Sequence, residues 1–180
     1  RIPRRLLYCG HVFKSKGVLE LVEGCSRIPN IELRIVGKYS QGIKDEMQSI
    51  AVKSGKDISW LTFVGEVDHE DVIREFFQAD MFVFPSYSEG FPNVILEAMA
   101  CGCPIVSSGV GAIPEMLDID GNACGVCFKS RSADEVYSAV SSLIDNQELK
   151  SSFAANAKSR VNSLYAMPQV WKEMVNIWMK

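Results

Sequence analysis

Short apolar runs alternate with helical patterns along this chain, and that alternation limits the possible folds more than any other feature. Between the runs lie segments with apolar residues near i, i+3 and i+4, which predict amphipathic helices. Strands that alternate with helices form a parallel sheet covered by helices. We therefore expect an α/β domain with six strands. The strand candidates, rich in Val, Ile and Phe, are LLYCG (6–10), IELRIVG (31–37), WLTFVG (60–65), DMFVFPS (80–86), PIVSS (104–108) and CGVCF (124–128).

Three further helical patterns follow the last strand candidate, with no strand among them, at 132–145, 147–161 and 167–180. The last one predicts a terminal helix over 168–180. Its apolar stripe at helical spacing consists of Trp171, Met174, Val175 and Trp178. Such a stripe either packs on the core or docks against another domain, and both readings stay open. A length of 180 residues suits a single domain, 1–180.

Charge and hydropathy exclude several classes of partner. The formal net charge is -3 and the sequence pI is about 5.5, which argues against nucleic acid and against a strongly basic membrane-binding face. No apolar run approaches the roughly 20 residues that span a bilayer, and the first residues lack the apolar core of a secretory signal. We expect a soluble domain.

Six cysteines raise the question of a metal site or disulfides. They stand at Cys9, Cys25, Cys101, Cys103, Cys124 and Cys127. The CGC and CGVC pairs resemble zinc-ligand spacing, but no histidine nearby completes a ligand set. Most of these cysteines occupy places that suit small hydrophobic residues. We expect buried, reduced thiols rather than zinc.

The loops after the strands are where a ligand should bind, because ligands of open parallel sheets lie at the carboxyl ends of the strands. Three loops carry polar groups: GHVFKSKG (10–17), GEVDHED (65–71) and PSYSEGFPN (85–93). No strand is followed by GxGxxG, and GxxxxGK[ST] does not occur. The sequence therefore disfavours a dinucleotide enzyme and a P-loop nucleotide hydrolase.

The helix after the fourth strand candidate has the features of an anion site. Pro92 suits its first position, Phe91 then lies near the cap, and Gly102 followed by Pro104 ends it. The free N–H groups and the positive end of the helix dipole would face the loop beside Gly90. This arrangement predicts a seat for a diphosphate.

Glu97 is the one acid on this otherwise apolar helix. It lies one turn after Asn93, so the two form a narrow polar stripe among apolar neighbours. A buried acid requires a partner. The alternative is a solvated helix face, which a stripe of this width fits poorly.

Taken together, these motifs resemble the C-terminal, donor-binding half of a GT-B-fold glycosyltransferase of the large retaining family 4. The resemblance rests on EGFPNVILE, with Glu89 and Glu97, and on the EAMACGCPIV that overlaps and follows it. It implies a Rossmann-like, doubly wound parallel sheet. Further matches are KG (16–17), IVG (35–37), FVGEV (63–67), AD (79–80), PS (85–86) and GAIPEML (111–117).

The resemblance also implies roles for individual residues. Glu97 would accept hydrogen bonds from the ribose hydroxyls, Glu89 would face the donor sugar, and Lys16 would contact the phosphates. Glu89 and Lys16 are then the catalytic candidates. The backbone of Gly90, Phe91, Pro92 and Asn93 would hold the sugar and diphosphate, and Val67, with Asp68 and His69, would border the base.

One position departs from the family pattern. An arginine usually follows the first strand, whereas this chain has His11 there. Arginine is always charged, but histidine is mostly neutral at pH 7, so phosphate affinity would depend on pH. Lys14 either supplies the missing charge or is an exposed loop residue, and the sequence does not decide between them.

The activity implied is transfer of a hexose from a UDP- or GDP-sugar to a glycan or glycolipid. Lys16 and the helix start would stabilise the leaving phosphate, so no metal cofactor is required. Asp118-Ile119-Asp120 precedes Gly121 between a short helix and the last strand, so it is interpreted as a turn rather than a metal motif. It also implies that the acceptor-binding half lies outside this segment, which would be inactive alone. The protein would be cytoplasmic, at most peripheral at the inner membrane face. The alternatives are an epimerase or phosphorylase of the same fold and a non-catalytic nucleotide-binding module.

Overall fold

Six parallel strands form one sheet in the structure, which is a computed structural model that describes residues 1–55, 57–119, 121–166 and 168–170. Each strand overlaps one of the six apolar runs, so the predicted sheet is confirmed. The strands are β1 (Arg5–Cys9), β2 (Glu32–Val36), β3 (Leu61–Gly65), β4 (Met81–Phe84), β5 (Ile105–Ser108) and β6 (Gly125–Phe128).

The helices occur where the apolar periodicity predicts them. They are α1 (Val18–Ser26), α2 (Gln41–Lys53), α3 (His69–Gln78), α4 (Asn93–Ala100), α5 (Ile113–Leu117), α6 (Ala133–Ile144) and α7 (Gln147–Arg160). A short 3-10 turn, Lys14–Lys16, precedes α1, and a π-helical turn, Val161–Tyr165, follows α7. The tryptophan stripe of the predicted terminal helix, 171–178, lies outside the described residues.

The strand order places β1 and β4 side by side at the centre of the sheet. The full order is β3-β2-β1-β4-β5-β6. Leu6 of β1 pairs with Leu33 of β2 on one side and with Met81 of β4 on the other. The chain therefore winds outward from β1 in one direction and then from β4 in the other. The connections that follow β1 and β4 lead to opposite halves of the sheet, and this change of direction leaves a crevice at the carboxyl edge, where such sheets bind ligands.

The central strands are buried because helices cover both faces of the sheet. All four residues of β4 are buried, and so are the last four of β1. Within this core, Phe82 packs edge-on against Phe76 of α3, with ring centres 5.2 Å apart. Burial on both faces explains why these strands appear in the sequence as continuous apolar runs rather than as an alternating pattern.

A buried ion pair closes the opposite, amino edge of the sheet. Lys150 Nζ lies 2.8 and 2.9 Å from the two carboxylate oxygens of Asp80 and also donates to the Ile144 carbonyl oxygen at 2.9 Å. The Arg4 N–H donates to the same carboxylate at 2.9 Å. The acid of the AD motif therefore ties α7 and the start of β1 to the sheet, away from the crevice.

The cysteines are buried with one exception. Cys9, Cys25, Cys101, Cys103 and Cys124 are buried, whereas Cys127 is exposed. The prediction of buried thiols is therefore wrong for Cys127, because β6 is an edge strand with a neighbour on one side only. Among the described residues, no group of three or more His, Cys, Asp or Glu side chains could hold a metal ion. No helix within that part of the chain is long and apolar enough to cross a bilayer.

Candidate functional site

The loops after β1 and β4 meet beneath the crevice. The Tyr87 N–H donates to the Ser15 carbonyl oxygen at 3.0 Å. Gly17 has a left-handed conformation (φ 70°), and an alanine Cβ there would overlap the Pro85 carbonyl oxygen. Only glycine adopts this left-handed conformation and leaves room for the Pro85 carbonyl oxygen without strain. The glycine of the KG motif thus lets the loop that carries Lys16 rest on the loop that carries Glu89.

Lys16 and Glu89 form an ion pair across this junction. Lys16 Nζ lies 2.6 Å from Glu89 Oε1, and the side chains are 28% and 13% exposed. The sequence predicts that each faces the donor, one at the phosphates and one at the sugar, but it does not predict that they contact each other. The lysine charge is therefore neutralised by a partly buried carboxylate.

The amino end of α4 lies beside this pair. Asn93 is the first helical residue and Pro92 is the N-cap, so the expectation that Pro92 starts the helix is wrong by one residue. The reason is that Pro92 has an extended ψ of 116°, outside the helical region. Pro92 has no N–H and is buried, so the anion-facing donors of this segment must come from its neighbours. The Phe91 side chain is exposed, and its ring packs edge-on against Tyr165.

The helices that begin at the crevice lack the side-chain caps found on most of the others. No side chain of the described residues accepts a hydrogen bond from the first N–H groups of α4, and the same holds for α1, whose N-cap is Gly17. By contrast, α2, α3, α6 and α7 are capped by Ser40, Asp68, Ser132 and Asn146. In α4 the Ile95 N–H donates to the Pro92 carbonyl oxygen at 3.1 Å, so the Asn93 and Val94 N–H groups, with those of the first turn of α1, are the candidates for binding an anion.

The turn at Glu89 and Gly90 packs against the segment that begins at Gly111, and its Gly90 side is open. The Gly90 carbonyl oxygen accepts from the Ala112 N–H at 2.9 Å. Gly111 has a φ of 57°, and a Cβ there would overlap the Glu89 carbonyl oxygen. A Cβ on Gly90 would meet nothing within 4 Å. The GAIPEML segment therefore holds this turn in place, while a ligand can approach the Gly90 backbone.

Buried serine hydroxyls also hold the β4–α4 loop, and sequence reasoning missed them. Ser108 Oγ donates to the Ser86 carbonyl oxygen at 2.5 Å, and Ser107 Oγ donates to the Phe84 carbonyl oxygen at 2.9 Å. Ser86 Oγ donates to the Ser88 carbonyl oxygen at 3.3 Å. The signal that could have found them is the pair of hydroxyls that ends the apolar run PIVSS.

Glu97 lies on the crevice side of α4, one turn beyond the exposed Asn93. It is half-buried rather than buried, and no hydrogen bond or ion pair reaches its carboxylate from the described residues. Partial burial raises the pKa of Glu97, and the nearby His69 opposes that rise. Burial, followed by the charges of Glu97 and Glu75, raises the pKa of Cys9 to about 12, which places Glu97 near the end of β1.

A cavity of about 200 Å³ lies beside the ends of β1, β2 and β3. It brings together His11 and Val67, the two residues expected near the phosphate and the base, with Gly10 and Gly37 between them. The exposed His11 ring stacks on Phe13, with centres 5.7 Å apart. The other residues that line the cavity are Cys9, Val36, Lys38, Glu66 and Val72.

The other loop residues singled out in the sequence make contacts of their own. The Asp68 carboxylate caps α3 by accepting from the Asp71 N–H at 2.9 Å, and His69 is the first residue of that helix. Lys14 Nζ lies 2.7 Å from a Glu46 carboxylate oxygen of α2, and both side chains are exposed. Asp118 directly follows α5, while Asp120 lies outside the described residues.

A further cluster of polar side chains, not expected from the sequence, stands behind the crevice. Tyr87 Oη donates to Glu20 Oε1 at 2.5 Å, and the Arg131 guanidinium carbon lies 4.8 Å from the centre of the Tyr87 ring. Glu20 Oε2 is buried and accepts no hydrogen bond from the described residues. Burial and the Glu20 carboxylate raise the pKa of Tyr87 to about 12. This cluster anchors the middle of the β4–α4 loop to α1.

Comparison with known proteins identifies relatives of this chain. Residues 3–160 match the sequence model of the family described as Glycosyl transferases group 1. A glycogen synthase of Mycobacterium tuberculosis is 30% identical over 165 residues, which cover 89% of this chain and 39% of that protein. The chain spans less than half the length of the curated relatives it matches.

Solved structures share the fold. A C-terminal domain of a glycosyl transferase group 1 family protein (LpcC) from Francisella tularensis superposes with a TM-score of 0.79 and 25% identity; the match covers 92% of this chain and 89% of that one. The Anabaena protein Alr3699/HepE, solved in complex with UDP and glucose, superposes with a TM-score of 0.84 and 18% identity; the match covers 98% of this chain and 48% of that one. At 18% identity the second likeness concerns the fold alone.

Proposed function

Because the chain belongs to the group 1 glycosyltransferases, we propose that it forms the donor-binding half of a retaining enzyme that transfers a hexose to a glycan or glycolipid. The observation that carries this proposal is the position of the Lys16–Glu89 pair. It lies at the switch point of the sheet, beside the uncapped start of α4. A cation and free N–H groups at that place suit a diphosphate.

The nucleotide would extend from the switch point toward β2 and β3. Glu97, half-buried and without a partner among the described residues, would accept hydrogen bonds from the ribose hydroxyls. The cavity lined by His11 and Val67 would take the base of a UDP- or GDP-sugar. The Anabaena structure with UDP and glucose supports a nucleotide-sugar ligand for this fold.

Transfer breaks the bond between the sugar and the terminal phosphate and forms one to an acceptor hydroxyl. Positive charge develops on the sugar ring and negative charge on the leaving phosphate. Lys16 and the start of α4 would stabilise the leaving phosphate, and the Glu89 carboxylate would face the sugar. Lys16 and the start of α4 are the groups of this chain that would stabilise that charge, and the proposal invokes no metal ion.

The acceptor would be held by residues outside this chain, which would then be inactive alone. Support comes from the relatives, which are more than twice as long as the matched region, and from the F. tularensis structure, described as a C-terminal domain. The reaction would take place in the cytoplasm, at most peripherally at the inner membrane face.

Calorimetric titration with UDP and GDP, in a buffer with chelator, tests the proposal. We expect one of them to bind, and Glu97→Gln to weaken that binding by about 1.5 to 3 kcal/mol, because the amide keeps the volume but loses the charged acceptor. Glu148→Gln is the control, since Glu148 is an exposed acid in the first turn of α7, close to Lys150 at the opposite edge. Equal affinity in wild type and Glu97→Gln would contradict the ribose assignment, and binding that requires added metal would contradict a metal-free site.

A further inference from the structure

The ion pair between Lys16 and Glu89 occupies the place that the proposed function gives to the donor phosphates. Lys16 Nζ is the only hydrogen-bond donor that reaches the Glu89 carboxylate from the described residues, at 2.6 Å. The Glu89 side chain is the more buried of the two. A phosphate that takes the lysine cation must therefore share it with Glu89 or displace that carboxylate.

Displacement has a cost that depends on the ligand. A mostly buried carboxylate that loses its one partner is left unsatisfied, which is unfavourable. A donor sugar brings hydroxyl groups, which are hydrogen-bond donors, to the position that Glu89 faces, so the carboxylate regains partners. A free nucleoside diphosphate brings no hydroxyl there. Its terminal phosphate also carries an additional negative charge close to the carboxylate, and like charges repel.

We propose that Glu89 is a specificity-determining residue that favours the intact sugar nucleotide over the nucleoside diphosphate left after transfer. This inference rests on the proposed function. In the absence of donor, Glu89 holds Lys16 in position and neutralises it. With donor bound, the sugar hydroxyls satisfy Glu89 while Lys16 contacts the phosphates. Once the sugar has gone, Glu89 and the phosphate compete for the same lysine, and this competition weakens retention of the product.

The test compares two ligands on two proteins by calorimetry: UDP with UDP-glucose, or GDP with GDP-mannose if the chain binds guanine nucleotides. Glu89→Gln keeps the volume of the side chain and removes its charge. We expect the variant to bind the free nucleoside diphosphate about tenfold more tightly than wild type does, the equivalent of about 1.4 kcal/mol. Binding of the sugar nucleotide should gain less or weaken, so that the preference for the sugar nucleotide falls.

Glu46→Gln is the matched control. Glu46 also pairs with a lysine of the β1–α1 loop, Lys14, at 2.7 Å, but both side chains are exposed. This variant removes the same charge and releases a neighbouring lysine without touching the crevice. It should leave the ratio of the two affinities unchanged. Thermal unfolding of each variant verifies the fold, and Glu89→Ala replaces Glu89→Gln if the latter does not fold, with the same expected fall in the ratio.

The outcomes separate this inference from the proposed function. If wild type binds neither the nucleoside diphosphate nor the sugar nucleotide, both are overturned. If wild type binds both ligands and Glu89→Gln leaves the affinity ratio at the wild-type value or raises it, the inference fails and the proposed function stands. If Glu46→Gln lowers the ratio as much as Glu89→Gln does, net charge rather than the buried pair is responsible, and the inference again fails.

Discussion

At the scale of single residues, the crevice has little net positive charge to offer a diphosphate. Lys16 is neutralised by Glu89, and Glu97 adds a second carboxylate. Lys14 is paired with Glu46 on the exposed side of its loop. Anion binding therefore depends on the starts of α1 and α4, on His11, whose ring is exposed at the cavity, and on Lys38, which lines the same cavity. Because Lys14 and Lys16 are both paired with carboxylates, the charge of His11 matters more for anion binding.

We predict that His11 makes nucleoside diphosphate binding depend on pH. Protonated imidazole attracts the phosphates and neutral imidazole does not, so affinity should fall as the pH rises from roughly 5.5 to 8.5. His11→Ala should bind more weakly at the acidic end, and both His11→Ala and His11→Arg should lose the part of the pH dependence that His11 supplies. The terminal phosphate of the ligand also ionises at about pH 6, and that contribution is common to all three proteins. Titration of UDP or GDP across this range measures the effect.

The second histidine of the chain provides the control for this experiment. His69 is exposed at the start of α3, and its charge opposes the rise in the pKa of Glu97, the acid assigned to the ribose rather than to the phosphates. His69→Ala should therefore keep the fall in affinity with rising pH. Parallel profiles for wild type and His11→Ala would mean that His11 does not contact the phosphate.

At the scale of elements, contact between two loop backbones sets the geometry of the site. The β1–α1 and β4–α4 loops meet at the Tyr87–Ser15 hydrogen bond and at the close approach of Gly17 to Pro85. The buried Ser108 hydroxyl holds the second loop from β5. The loops that carry Lys16 and Glu89 therefore cannot separate without breaking the Tyr87–Ser15 hydrogen bond. This rigidity keeps the charged groups in place before any ligand binds.

Gly17→Ala should lower the free energy of unfolding by at least about 2 kcal/mol, because it adds left-handed strain to an overlap with the Pro85 carbonyl oxygen. Gly42→Ala is the matched variant: Gly42 lies within α2, and its Cβ would meet nothing within 4 Å. It should raise the free energy of unfolding by about 0.5 to 1 kcal/mol, since alanine favours helix. Urea unfolding measures both changes, and equal stability of the two variants would refute the close approach.

At the scale of the whole molecule, the candidate site and the buried ion pair lie at opposite edges of the sheet. The Asp80–Lys150 pair connects β4 with α7 at the amino edge, while the loops that carry Lys16 and Glu89 lie at the carboxyl edge. The pair also receives the Arg4 N–H, so it joins three distant parts of the chain. We therefore expect changes in the pair to alter stability and to leave nucleotide binding unchanged in the folded protein.

Lys150→Met should destabilise the fold by about 3 to 5 kcal/mol, because Asp80 is left buried with an uncompensated charge. The double variant Asp80→Asn with Lys150→Met should recover most of that loss, since the amide is neutral and its oxygen still accepts from the Arg4 N–H. Urea unfolding measures the free energy of unfolding of the single and double variants. A double variant no more stable than Lys150→Met would show that the two side chains do not depend on each other.

Local pattern in the sequence was sufficient for the elements and for part of the site. Apolar runs and helical periodicity predicted all six strands, because a strand buried on both faces needs continuous apolar residues. The spacing of Asn93 and Glu97 placed both on one side of α4, because residues four apart share a helix face. Two predictions differed: Pro92, because of one local backbone angle, and Cys127, because the strand order places β6 at the edge of the sheet.

Which loops meet depends on the order of the strands in the sheet, and this order belongs to the tertiary structure. Lys16 and Glu89 are 73 positions apart, and they pair because β1 and β4 are neighbours at the switch point. The Tyr87–Glu20 hydrogen bond, across 67 positions, depends on the same adjacency. Periodicity reports which face of an element is buried, but it does not report which element lies next to it. The sequence alone determined the strands, the helices and the residue types offered at their ends, and the order of the strands decided which of those residues touch.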